Sequence, residues 1–298
     1  MIKVVEISKK FENFKALDGL NINVNKGSIY GLVGTNGAGK TTIIKHITGI
    51  LRPDSGQVYI DDEIVFDNKE IKQQLGFIPD DLFFFSTYNL KEMSKYYMQI
   101  YPNWNQERYI SMVAQFGLSE KSKLSKFSKG MQKQAAFILT MSTMPNYLIL
   151  DEPIDGLDPI VRKLVWKYIV NDVAERQMTV LVSSHNLREL EGICDSIGII
   201  SKGQMVMERD LDELKSDIHK IQVAFKNAPD NPYGGLNVLH HEKRGTVDLL
   251  IIRNRKDIVE EIINEKNPVV FDILPLSLEE IFIYELGGAD SEIQGIIF

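Results

Sequence analysis

An α/β chain in two parts is the fold class that the sequence predicts: a large domain on a parallel sheet with antiparallel β and α-helical subdomains, then a small α+β domain. Three observations carry this. Apolar runs at 28–33, 147–150 and 179–183 read as short strands covered on both faces, as parallel strands do. The first run feeds a glycine-rich turn and then a helical segment closed by Gly49. From about residue 220 the texture changes to alternating strands with two amphipathic helices.

In chain order, 3–7 and 19–24 alternate as an antiparallel entry, and Asn25-Lys26-Gly27 turns into the strand at 28–33. A helix begins near Lys40; strands follow at 57–61 and 75–79, where Pro79 stops the ladder. Over about 81–143 the spacing is helical, with Leu90, Met93 and Tyr97 on one face and Ile110, Val113 and Ala114 on another. The aromatic cluster Phe83-Phe84-Phe85 with Tyr96-Tyr97 reads as core or as a docking surface. Residues 161–175 are helical, strands at 197–200 and 204–207 close the nucleotide domain, and a polar helix at 210–217 leads out. The division is therefore placed at 1–217 and 218–298. In the second part, strand 221–225, a hairpin turning at 243–246, helix 257–264, strand 269–274 and a helix opened by the Ser277/Glu280 capping box fit a ferredoxin-like α+β domain. Gly287-Gly288 and the residues after them are expected to be loosely ordered.

The chemistry sits first in Gly34-Thr35-Asn36-Gly37-Ala38-Gly39-Lys40-Thr41, a G-x-x-x-x-G-K-T phosphate-binding loop between strand and helix. Its glycines let backbone N–H groups curl around an oxyanion, and the following helix adds the positive end of its dipole. Gly34, Asn36, Gly37, Ala38, Gly39, Lys40, Thr41 and Thr42 form the expected nucleotide-binding set, with Lys40 on the β- and γ-phosphates and Thr41 on Mg²⁺. Hydrolysis also needs a metal carboxylate and a base. Asp151 and Glu152, adjacent at the end of strand 147–150, point in different directions, so Asp151 can hold the metal while Glu152 faces the attacking water. His185, after strand 179–183, can bond the γ-phosphate.

Composition narrows the classes. A formal net charge of −7 argues against nucleic acid as the main partner. The single cysteine, Cys194, excludes an intramolecular disulfide, fits a reducing compartment and reads as a small core residue. No apolar run approaches the ~18 residues of a membrane span, and the first residues read as a strand, not a secretion signal. A membrane role therefore calls for a partner.

The series formed by the P-loop, Pro79-Asp80, Ser128-Lys129-Gly130-Met131-Gln132, 147–153, Gly156-Leu157-Asp158-Pro159 and Ser184-His185 resembles the ATP-binding subunits of ABC transporters over about residues 1–215. That resemblance implies an ATPase using ATP and Mg²⁺, dimerised head to tail around two ATPs with a second copy or a paralogue. It implies that Ser128 and Gly130 grip the ATP of the opposite subunit, that Phe11 stacks on adenine, that Asp158 touches the other subunit and that His185 is the switch histidine. Asp80 stands where most members carry Gln; it is assigned to metal and water there. Phe127-Ser128-Lys129-Gly130-Met131 replaces the commoner L-S-G-G-Q but keeps Ser128 and Gly130. The C-terminal part is similar to the appended domain of exporter ATPases with separate permeases, most like the Gram-positive branch of YtrB-type ATPases and the phenol-soluble modulin exporter. The expected function is to power such an exporter from the cytoplasmic face of the membrane. The alternatives are a soluble ABC-type ATPase that remodels a macromolecule, or a regulatory subunit with weak hydrolysis.

Overall fold

The computed structural model describes residues 1–226 and 230–285, so the tail expected to be loose lies outside the described residues. Contacts divide the chain into two units: Met1–His185 with Gly192–Glu208, and Asn186–Glu191 with the residues from Arg209 onward.

The first unit holds two sheets. Strands β1 (Ile2–Phe11), β2 (Phe14–Val24), β3 (Ile29–Val33), β4 (Ser55–Ile60) and β5 (Glu63–Ile64) open the chain, with helix α1 (Lys40–Ile47) between β3 and β4. Next come α2 (Lys69–Gln73), β6 (Leu75–Ile78), α3 (Leu90–Ile100), α4 (Gln106–Phe116) and α5 (Lys129–Ser142). The unit then returns to β7 (Tyr147–Asp151), α6 (Pro159–Arg176), β8 (Thr179–Ser184), β9 (Ser196–Ser201) and β10 (Gln204–Asp210). An antiparallel sheet of order β2-β1-β4-β5 faces a six-stranded sheet of order β10-β9-β3-β8-β7-β6, in which β6 through β9 and β3 pair in parallel. Ile43, Ile44 and Ile47 of α1 share one buried cluster with Ile2, Leu20 and Ile60 on one side and Leu32, Ile149 and Leu181 on the other. Burying each such side chain is worth about 1.5–3 kcal/mol, so the phosphate-loop helix is fixed between the sheets.

The helical segment is capped as its residues demand. Asn89 and Glu92 form a reciprocal capping box on α3, Asn105 caps α4, and Gly117 ends α4 in the left-handed region. Phe85 meets Tyr88 and Tyr96 edgewise or tilted at 5.0 and 5.5 Å, while Phe83 is 83% exposed. Tyr97 instead stacks on Tyr101 and is half-buried, as is Phe84, whereas Phe83, Phe85 and Tyr96 are exposed.

The second unit contains α7 (Leu211–Asp217), β11 (Ile218–Ala224), β12 (Val238–Arg244), β13 (Val247–Arg253), α8 (Lys256–Asn264), β14 (Val270–Leu274) and α9 (Leu278–Glu285). Its sheet runs β12-β13-β11-β14 and is antiparallel where registers are resolved. Two helices flank it as expected, but the described residues between β11 and β12 form no crossover helix. The unit begins at Arg209, earlier than 218, because Leu211 and Leu214 bury the inner face of α7, which packs on β11. It also claims 186–191, whose Arg188 pairs with Glu279 and whose Glu191 accepts from the Leu278 N–H.

Candidate active site

Parallel strands β6, β7, β8 and β3 lie side by side, so the segments leaving their C-terminal ends meet along one edge. This crevice is where open α/β sheets bind ligands. After β3 comes the phosphate loop, after β6 Asp80, after β7 Glu152, after β8 His185.

The loop takes its shape from its glycines. Gly39 caps α1 at φ 112°, a region side-chain-bearing residues avoid, and a Cβ on Gly34 would stand 2.5 Å from the Ile200 carbonyl oxygen. Lys40, buried although charged, donates to the carbonyls of Gly34 at 2.7 Å and Thr35 at 3.3 Å. Its Nζ also stands 3.4 Å from Glu152 Oε1. A cavity of about 280 Å³ is lined by Phe14, Ala16, Thr35, Asn36, Gly37, Gly39, Lys40, Thr41, Thr42, Asp80 and Glu152. Most of the expected nucleotide set is therefore in one wall; Gly34 and Ala38 shape the loop behind it.

Asp151, 1% exposed, is held from two sides: Thr41 Oγ1 donates to Oδ2 at 2.7 Å and Ser183 Oγ to Oδ1 at 2.5 Å. The Ser183 hydroxyl in turn accepts from the Glu152 N–H at 3.1 Å. Glu152 itself has φ 47°, the left-handed region disfavoured for a residue with a Cβ. Its Oε2 accepts from His185 Nδ1 at 2.8 Å and faces the His185 N–H at 3.4 Å. Lys40 and Glu152 thus form an ion pair at the loop, and His185 hydrogen-bonds the same carboxylate.

A metal fits this donor set. Thr41 and Asp151 present hard oxygens side by side, and among the described residues no group of three acidic, His or Cys side chains could enclose an ion. Mg²⁺ suits such a site because it keeps waters and takes one or two carboxylates plus phosphate oxygens. Asp80 lines the same cavity, but its Oδ1 lies 3.2 Å from Lys133 Nζ.

The model of the ABC transporter family matches residues 17–155. The chain is 31% identical to the ABC transporter ATP-binding protein YtrB of Bacillus subtilis over 97% of this chain and 99% of that one. The chain belongs to the ABC transporter ATP-binding proteins. It is 32% identical to the bacitracin transport ATP-binding protein BcrA of Bacillus licheniformis, over 97% and 98% of the two chains. Among solved structures, an ATP-binding subunit of an ABC transporter matches with a TM-score of 0.67 and 26% identity, covering 72% of this chain and 92% of that one. The ATP-binding cassette MJ0796, a post-hydrolysis dimer bound to ADP and Pi, shares the fold at a TM-score of 0.64 and 21% identity, covering 71% of this chain and 99% of that one.

In this ABC protein the remaining expected residues stand apart from the cavity. Ser128 caps α5, accepting from the Met131 N–H at 3.2 Å, and a Cβ on Gly130 would lie 3.2 Å from the Gly156 carbonyl. Asp158 caps α6, accepting from the N–H groups of Ile160 and Val161 at 3.0 Å. Lys129, Lys133, Gly156 and Asp80 line a separate cavity of about 390 Å³. Phe11 pairs with Phe14 at the end of the β1–β2 hairpin, and Phe14 supplies the aromatic cavity wall while Lys9 covers Phe11 at 5.7 Å. Sequence reasoning missed Phe14, Ser183 and Lys133. Ser183 had a signal, a hydroxyl at the end of an apolar buried strand; Lys133 had none. Cys194 is buried, which pushes its thiol up to about 12 and keeps it a core residue.

Proposed function

We propose that this ABC ATPase powers a membrane exporter: two subunits close head to tail over two ATP molecules, and hydrolysis reopens them. The observation that carries the reading is that Lys40, Thr41 and Glu152 line one cavity, with Asp151 buried behind Thr41 and bonded to it. Lys40 and the loop N–H groups bind the β- and γ-phosphates, and α1 points the positive end of its dipole at them. Thr41 and Asp151 would hold Mg²⁺, with Asp80 beside them. When bound, that ion supplies charge neutralisation at the phosphate oxygens. Glu152 orients the attacking water and takes its proton. His185 fixes Glu152 through Nδ1–H and presents its other ring edge to the γ-phosphate. Phe14 with Phe11 gives the purine an aromatic edge. Ser128 and Gly130 serve the ATP of the opposite subunit, and Asp158 meets that subunit.

The partners are accordingly a second ATPase subunit, identical or paralogous, and a permease, with no nucleic acid. Phe83 and its neighbours on the helical segment are the seat for the permease. No helix of the described residues is long and apolar enough to cross a membrane, so attachment to the cytoplasmic face runs through that partner. One relative is named for bacitracin transport and another for linearmycin resistance, which supports export over import and leaves the cargo to the permease. The geometry at Glu152 and His185 disfavours a regulatory subunit with weak hydrolysis.

The test is purification of the tagged chain from its native membranes in mild detergent, with and without Glu152→Gln. A polytopic membrane protein recovered with both forms is expected. Recovery of soluble partners alone, in both forms, would replace transport with macromolecular remodelling.

A further inference from the structure

Glu152 is held in an unfavourable backbone conformation, and such a conformation persists where its surroundings over-determine it. Three grips do so here. Ser183 Oγ takes its N–H at 3.1 Å, His185 and Lys40 take its carboxylate at 2.8 and 3.4 Å, and Lys133 Nζ donates to its carbonyl at 2.8 Å. The first two come from the ends of the sheet strands and the phosphate loop. Lys133 comes from α5, the helix that Ser128 caps and on which Gly130 packs against the Gly156 carbonyl.

The same ammonium stands 3.2 Å from Asp80 Oδ1, and its side chain is 11% exposed. Where most relatives are expected to carry an amide, this chain has a carboxylate, so the contact from Lys133 joins two charged groups and is stronger than one to a neutral amide. Lys133 lies three residues after Gly130, on the same first turns of α5. One lysine therefore ties the N-terminal end of α5 to two groups that line the phosphate cavity.

We propose that Lys133 is a positioning residue that couples the two ATP sites of the working pair. This rests on the reading of Ser128–Gly130 as the loop that grips the opposite subunit's ATP. When that loop engages the neighbouring γ-phosphate, the first turns of α5 shift as a body, and Lys133 carries the shift to the Glu152 carbonyl and Asp80 of its own site. Hydrolysis at one site then depends on occupancy of the other. Lys133 touches neither nucleotide in this scheme; it acts through Glu152 and Asp80.

The experiment is steady-state ATP hydrolysis by the full-length chain as a function of ATP, for wild type, Lys133→Met, Lys133→Arg and Asp80→Asn. Binding of a fluorescent ATP analogue and thermal melting are measured on the same preparations. Wild type is expected to respond sigmoidally. Lys133→Met is expected to lose about 10²-fold in kcat, the scale of a misplaced reacting group, with KM and analogue binding within about 2-fold and a hyperbolic response. Lys133→Arg is expected to restore the sigmoidal response, and Asp80→Asn to lose less than Lys133→Met because the bond to the Glu152 carbonyl survives. Wild-type kcat and cooperativity in Lys133→Met would overturn the proposal, as would a hyperbolic wild type. A loss of kcat that tracks lower melting and that Lys133→Arg does not rescue would do so too. The underlying reading fails separately, if Glu152→Gln with Lys133 intact forms no ATP-dependent dimer on size-exclusion chromatography.

Discussion

Lys40 Nζ lies 3.4 Å from Glu152 Oε1, and both side chains are largely buried, at 7% and 13% exposure. The group proposed to bind phosphate and the group proposed to activate water are thus each other's counter-charge. A γ-phosphate entering the cavity competes with Glu152 for Lys40, which leaves the glutamate to the water and to His185.

Neutralising the base separates its two roles. Glu152→Gln keeps the size of the side chain and removes its capacity to take a proton, a contribution of typically 10²–10⁴-fold. The expected outcome is a fall in kcat of at least about 10²-fold with ATP still bound. Phosphate release and nucleotide binding on the same sample check it, and wild-type turnover would remove Glu152 from the role of base.

Lys40→Ala tests the other end of the pair. A charge-assisted hydrogen bond is worth about 1.5–3 kcal/mol, so ATP affinity is expected to weaken by about 10-fold or more. The Glu152 carboxylate, left beside the phosphates without its counter-charge, adds repulsion. Titration with a fluorescent ATP analogue measures this, and unchanged affinity would refute the phosphate-loop assignment.

How much of this was readable beforehand depended on the range of the interaction. The phosphate loop, Asp151-Glu152 and Ser128-Lys129-Gly130 are local strings that can be picked out by their order along the chain, and each expected strand of the first unit has its counterpart. Lys133 reads in sequence as an ordinary helix-surface lysine, because Asp80, 53 residues away, and Glu152, 19 away, come to it through the sheet. Helix α2, with five residues, and β5, with two, are too short to show a period. Phe11 and Phe14 face each other across one hairpin end, and sequence alone does not decide which ring enters the cavity wall. Likewise 186–191 belongs with the second unit through Arg188–Glu279 and Glu191–Leu278, pairings at separations of 91 and 87 residues.

Asp172 on α6 anchors the helical segment. It is 3% exposed and takes a two-pronged contact from Arg108 of α4 at 2.9 and 2.8 Å and another from Arg176 at 2.6 Å. Removing one partner of a buried ion pair strands the others, at a cost of about 3–5 kcal/mol. Asp172→Ala is expected to lose stability on that scale in urea denaturation, and pairing it with Arg108→Met to recover part of the loss. A change within about 0.5 kcal/mol would mean that the guanidiniums find solvent instead.

His46 makes the helix that carries Lys40 and Thr41 sensitive to acid. The Thr42 carbonyl accepts from His46 Nδ1 at 2.7 Å, so that nitrogen holds the proton of the neutral ring, while Nε2 is buried with no partner. Burial, the largest cause, holds its pKa below the ordinary value; nearby Lys9 acts in the same direction, and the Thr42 carbonyl and Asp54 oppose it. In the unfolded chain the ring takes a proton at about 6.5, whereas the folded ring resists until lower pH. Between those two values the unfolded state binds more protons, so stability rises with pH; it is complete above about 6.5 and is lost progressively as pH falls toward the folded pKa. His219 of the second unit is lowered by burial too and acts in the same window. The urea midpoint of ATP-free protein is therefore expected to fall from about pH 7 to about pH 5, less steeply in His46→Asn, which can still donate to Thr42 without titrating, and least when His219→Asn is added. An unaltered slope in His46→Asn, with far-ultraviolet circular dichroism like wild type, would assign the acid sensitivity to groups other than the phosphate-loop helix.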